Sequence, residues 1–135
     1  MKITGTKRLV EYDGKQQLDL VGEVRLTLPF VTVADPGDTN TIAASTQTNF
    51  ICSIVTAGAE TRVLGAPNFV GQKAIITLGT DGGDLTMTNA DGWLDGATSD
   101  DVATFADAAD SMVVEAHGTA VTDWRVTSEK GVAFA

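Results

Sequence analysis

Asp81, Asp84 and Asp91 share fourteen residues, TDGGDLTMTNADGW (80–93), with three glycines, and Asp95, Asp100 and Asp101 follow closely. Clustered carboxylates hold a hard cation, divide acid and base roles in glycoside hydrolysis, or accept backbone hydrogen bonds in turns. Asp91, Asp95 and Gly96 match positions one, five and six of a helix-flanked calcium loop. Positions three and twelve, however, are Trp93 and Val102, so two oxygen ligands are missing. A non-helical calcium site built from Asp81, Asp84, Asp100 or Asp101 is the weaker alternative. Turn chemistry is favoured, because glycines flank the acids and Leu85 and Met87 alternate with Thr86 and Thr88 as in a strand. No metal or cofactor is expected.

The other chemistry-bearing residues are few. His117 is the single histidine, in AHGTA, and Cys52 is the single cysteine, in FICSIV. Together they are too few for a typical structural zinc site, and no nucleophile motif accompanies the histidine. His117 reads as a solvated turn residue and Cys52 as a buried, inert thiol. No catalytic residue is assigned and the chain is read as a non-enzyme. Trp93, Trp124 and Tyr12 are candidate platforms for a sugar ring. Strand alternation in DWRVT places Trp124 in the core, which leaves Trp93, after a turn, as the candidate glycan-stacking residue.

The elements that position these residues read as β throughout. Leu18, Leu20, Val24, Leu26 and Leu28 alternate mostly with polar residues, with Gly22 marking a bend, and Phe30 to Val33 resumes after Pro29. ADPGDTNT (34–41) is a loop. TIAASTQTNFICSIVT (41–56) reads as strands with a turn near Gln47 to Asn49, AGAE (57–60) as a turn and TRVLG as a short strand. KAIITLGTDGGDLTMTN reads as a hairpin turning at GTDGG. SDDVATFADAADSM fits either strand or a short helix capped by Ser99, and residues 99–112 stay open between the two. SMVVEA and DWRVTS are strand-like, and Gly131 precedes the apolar tail VAFA. Many short strands separated by glycine turns predict an all-β, jelly-roll-like antiparallel β-sandwich with an extended N-terminal segment.

A chain of 135 residues is one domain by size, with 14 glycines against 3 prolines. No stretch is apolar for long enough to span a membrane as a helix. The net charge of −9 is unevenly spread. Lys2, Lys7, Arg8, Lys15 and Arg25 hold five of the nine basic residues, while 74–123 has no Lys or Arg and ten of the eighteen acids. An acidic body repels phosphates, so nucleic-acid binding is disfavoured and a protein partner suits the basic end. Residues 1–15 are expected to be a docking segment and 16–135 a single β domain.

GQKAIITLGTDGGDLTMTN, ATFADAADSMVVEA and TDWRV together resemble a recurring module of tailed-bacteriophage virion proteins, found in capsid decoration (cement) proteins and in fibre appendages. The resemblance spans somewhat under half the chain. It implies a structural protein on the outer capsid surface, a homotrimer over threefold or quasi-threefold junctions of the major capsid protein, which it stabilises. Lys2, Lys7, Arg8 and Lys15 are then the capsid-docking residues, by electrostatic complementarity and strand addition. A receptor-binding fibre or spike module recognising a glycan through Trp93 is the alternative.

Overall fold

The computed structural model describes the backbone of residues 2–3, 6–12, 15–21, 26–27 and 30–89, then of 102–117 and 123–135; side chains are described over 30–89, 102–117 and 124–135. The strands are β1 (Lys2–Ile3), β2 (Thr6–Tyr12), β3 (Lys15–Val21), β4 (Leu26–Thr27), β5 (Phe30–Val33), β6 (Thr41–Ile42) and β7 (Asn49–Val55). After them come β8 (Glu60–Leu64), β9 (Lys73–Thr80), β10 (Leu85–Asn89), β11 (Val102–Phe105), β12 (Ser111–His117), β13 (Asp123–Lys130) and β14 (Val132–Phe134). β1 pairs with β4 and β2 with β3 as two-stranded antiparallel ribbons, and the other ten strands form two five-stranded sheets. The first has the order β13-β12-β9-β7-β5 and the second β14-β11-β10-β8-β6.

Period-two alternation builds one core between these sheets. Phe50, Cys52 and Ile54 of β7, Ala74, Ile76 and Leu78 of β9, and Met112, Val114 and Ala116 of β12 are buried from the first sheet. Leu64, Leu85, Met87, Ala103 and Phe105 join the same cluster from the second. The protein is thus all-β and sandwich-like, as the alternation requires.

Strand direction corrects the antiparallel expectation. β5 with β7, β7 with β9, β6 with β8 and β8 with β10 are all parallel. From β5 to β10 the chain changes sheet at every step, so GTDGG does not close a hairpin. Instead it carries the chain from β9 in one sheet across to β10 in the other. Three two-strand rungs (β5/β6, β7/β8, β9/β10) stack in this way, with partners 19 to 25 residues apart in sequence, as in Phe30↔Asn49 and Glu60↔Leu85. Antiparallel strands follow: β11 pairs with β10, β12 with β9, and β13 and β14 outside those.

Residues 102–112 contain no helix. Ala103 and Phe105 are buried and Val102 and Thr104 less so, which is strand alternation, and a tight turn follows at 106–110. The Asp110 carboxylate accepts the N–H groups of Ala106 (3.0 Å) and Asp107 (2.9 Å) there. Ser99 lies outside the described residues. At the β7/β9 pair the register passes from Ile54↔Leu78 to Val55↔Thr80 and leaves Gly79 as the extra residue of a bulge. A Cβ there would meet Ser53 Oγ, so a larger residue at this position requires the Ser53 side chain to turn away.

Candidate functional site

Asp81 and Asp84 sit in the crossing from β9 to β10. Asp81 Oδ1 accepts the Gly83 N–H (2.9 Å), and the Asp84 carbonyl accepts the Glu60 N–H (3.0 Å). Beneath them lies the crossing from β7 to β8, whose buried Thr56 hydroxyl accepts from Gly82 N (3.0 Å) and donates to the Gly83 carbonyl (2.8 Å). Gly83 has φ +156°, and a Cβ on it would meet the backbone of Gly58 and Ala59. These glycines let one crossing rest on the next, and Asp81 serves the turn. Asp91, Asp95, Asp100 and Asp101 lie outside the described residues. Among the described residues no group of three or more His, Cys, Asp or Glu side chains is arranged to hold a metal.

The same end of the sandwich holds a polar cluster that the sequence reading did not single out. Arg62 points inward from β8 and its side chain is 1% exposed. Its Nε donates to Asp35 Oδ1 (2.8 Å), Nη2 to Asp35 Oδ2 (3.2 Å) and Glu60 Oε2 (2.8 Å), and Nη1 to the Thr61 carbonyl (2.9 Å). Asp38 stands farther off, at 3.7 Å. Asp35 also accepts the N–H groups of Gly37 and Val55, both at 3.0 Å. Burial pushes the Asp35 carboxyl upward, but the bonds from Arg62, Val55 and Gly37 outweigh it and hold the pKa below its ordinary value. Hydrogen bonding to Asp35 raises that of Arg62 against the opposing effect of burial. With its donors committed to carboxylates and a carbonyl, Arg62 staples the 34–40 loop to β7 and β8. Parity was the signal for it: two residues before the buried Leu64, Arg62 shares the inward face.

At the opposite turns, the fully buried Gln72 ties two loops together. Its Nε2 donates to the carbonyls of Ser45 (2.7 Å) and Thr48 (2.9 Å), while its Oε1 accepts Asn68 N–H (2.8 Å). Trp124 is buried as expected, edge-on to Phe50 with ring centroids 6.1 Å apart, and its Nε1 donates to the Gly65 carbonyl (2.8 Å). Cys52 is a buried free thiol, and burial, reinforced by the charge of Asp35, pushes its pKa up to about 11. His117 is exposed at the end of β12, opposite Asp123. Trp93 lies outside the described residues, as does the side chain of Tyr12.

The four basic residues assigned to docking fall on three strands. Lys2 lies on β1 opposite Thr27, Lys7 and Arg8 on β2 opposite Leu20 and Asp19, and Lys15 on β3 opposite Tyr12. Their side chains are outside the described residues. The paired region thus continues past residue 15, through β3 to Val21 and on to β4. Residues 1–29 hold five cations and four anions; residues 30–135 hold four cations and fourteen anions. Among the described residues, four of the six exposed large apolar side chains lie on β5 or its neighbour β7, Phe30 (40% exposed), Val31 (38%), Ile51 and Val55, while Val63 and Val70 lie elsewhere. A scan against protein-family models matched none, and a search of curated proteins returned no relative.

Proposed function

We propose that this chain is a capsid decoration protein, a homotrimer that sits on the outer surface of a phage shell at threefold or quasi-threefold junctions and stabilises it without chemistry. The observation that carries the reading is the separation of charge by architecture. The basic excess belongs to two-stranded ribbons whose outer edges are unpaired among the described residues, and the acidic excess to a five-on-five sandwich held by a buried ionic staple. We read those two layers as jelly-roll-like in their stacking, though not in strand direction. Such a ribbon offers backbone for strand addition and cations for an acidic shell surface, through Lys2, Lys7, Arg8 and Lys15. Three weak footholds on one rigid body bind far more tightly than one. A trimer spanning several shell subunits then opposes their separation.

The test is reconstitution on undecorated shells followed by imaging. β2 pairs with β3 along its whole length, so the informative deletion removes residues 1–27 rather than 1–15. A second variant replaces Lys2, Lys7, Arg8 and Lys15 by glutamine in the full chain. Full-length protein at threefold positions, with loss of occupancy in both variants and weaker binding at high salt, is the expected result. Binding that both variants retain refutes the docking assignment. A glycan-array signal lost in Trp93→Ala, with no shell binding, replaces the reading with a receptor-recognising module.

A further inference from the structure

A stack of parallel rungs has two open ends, and among the described residues one is sealed by further strands. At the β9/β10 end, antiparallel β12 and β11 cover the ladder, with β13 and β14 outside them. At the other end β5 pairs only with β7 among the described residues. The four sheet edges differ in their protection. β13 carries Arg125, Glu129 and Lys130, and β14 and β6 are three and two residues long. Charge and shortness are the usual means of blocking an edge. β5, one residue longer than β14, carries no charge: Phe30, Val31, Thr32 and Val33 are uncharged, and the first three are exposed. Stacked repeats need a cap at each terminus, and among the described residues no strand caps this end.

The ribbon β2/β3 has the complementary need. Its seven-residue strands pair only with each other among the described residues, and a two-stranded ribbon is marginal in water without a third strand. It belongs to the basic part of the chain, and β5 belongs to the acidic part. Among the described residues, ribbon and edge are not joined within one chain. From this we infer that the occupant of the β5 edge is the β2/β3 ribbon of a second copy, added through the free edge of β3. β2, with Lys7 and Arg8, is left for other contacts. Each copy then gives a ribbon to one neighbour and takes one from the other. This head-to-tail contact closes as a ring or continues as a filament. The number three rests on the decoration reading, but the pairing does not.

The test uses two full-length variants and the mass of the species in solution by light scattering. Phe30→Lys/Thr32→Lys charges the β5 edge at two exposed positions, and Leu18→Pro interrupts β3, which belongs to neither five-stranded sheet. Each variant alone is expected to fall from three chains to one, with its thermal unfolding transition retained. Mixed one to one, they are expected to form a two-chain species, because one supplies an intact ribbon and the other an intact edge. A monomeric parent, variants that keep the parent's mass, or a mixture that stays monomeric overturns the inference. Shell binding is scored separately: a parent that is trimeric but ignores empty shells refutes decoration while the edge pairing stands.

Discussion

Asp35→Ala is the sharpest test of what holds the acidic end together. The change removes two of the contacts on Arg62 and strips the N–H groups of Gly37 and Val55 of their acceptor. Arg62 cannot turn to water, because its side chain is 1% exposed, and it keeps only Glu60 and the Thr61 carbonyl as close partners. Breaking a buried ion pair from one side costs about 3–5 kcal/mol. The remaining glutamate and the 16% exposure of Asp35 place this case near the lower end, at ~3 kcal/mol. For a domain of this length that corresponds to a fall in Tm of roughly 12 °C. Urea unfolding at pH 7 measures it, with Lys73→Ala as the control. That variant breaks a half-exposed pair with Glu115 (3.7 Å) and is expected to cost under ~0.5 kcal/mol. Adding Arg62→Met to Asp35→Ala removes the stranded cation and recovers part of the loss. The acid limb has a definite sign. The folded-state pKa of Asp35 lies below the ordinary aspartate value, so its contribution is complete above that ordinary value and is lost as pH falls through the folded pKa. Asp35→Asn therefore flattens the acid limb of the stability profile. A loss below ~1 kcal/mol, or a double variant as weak as the sum of the singles, refutes the staple.

Two further outcomes test the packing. With its pKa raised to about 11, Cys52 is expected to resist a disulfide-exchange reagent at pH 8 and to react only as fast as the protein unfolds; stoichiometric labelling within minutes of native protein refutes its burial. Gly83→Ala forces a Cβ against the backbone of Gly58 and Ala59 at φ +156° and is expected to cost ~2 kcal/mol or more in urea, whereas Gly58→Ala, with open space around it, stays within ~0.5 kcal/mol of the parent; equal effects refute the stacked crossings.

Residue types and parity revealed which residues are buried, but not which strands are neighbours. Phe50, Cys52 and Ile54 alternate with Ile51 and Ser53 whether their partner runs parallel or antiparallel, so β7 was legible while its two parallel neighbours were not. GTDGG announces a reversal through its glycines and Asp81, but a hairpin and a crossing between sheets ask for the same residues. The choice depends on Thr56, 26 residues before Gly82 and invisible to any local window. The 102–112 stretch stays open between strand and helix on sequence alone, because the bonds that make Asp110 a turn residue, to the N–H groups of Ala106 and Asp107, carry no mark in residue type. Arg62 was hidden by its type, because a guanidinium is taken as exposed unless its partners are known, and Asp35 lies 27 residues away. The basic N-terminal excess was plain from counting, but the pairing of its strands was not, because Leu9↔Leu18 and Val10↔Gln17 give only a mixed polar and apolar ladder.

The order of the rungs also matters for how the chain is made. Each rung rests on the one made just before it, so a nascent chain leaving the ribosome lays β7 on β5 and β9 on β7 with waits of only 19 to 24 residues. β12, which covers β9, follows after 111 residues have been made, and β13 later still. Until then the growing ladder presents the backbone edge of β9 that β12 later pairs, and an open edge of that kind invites pairing with another chain.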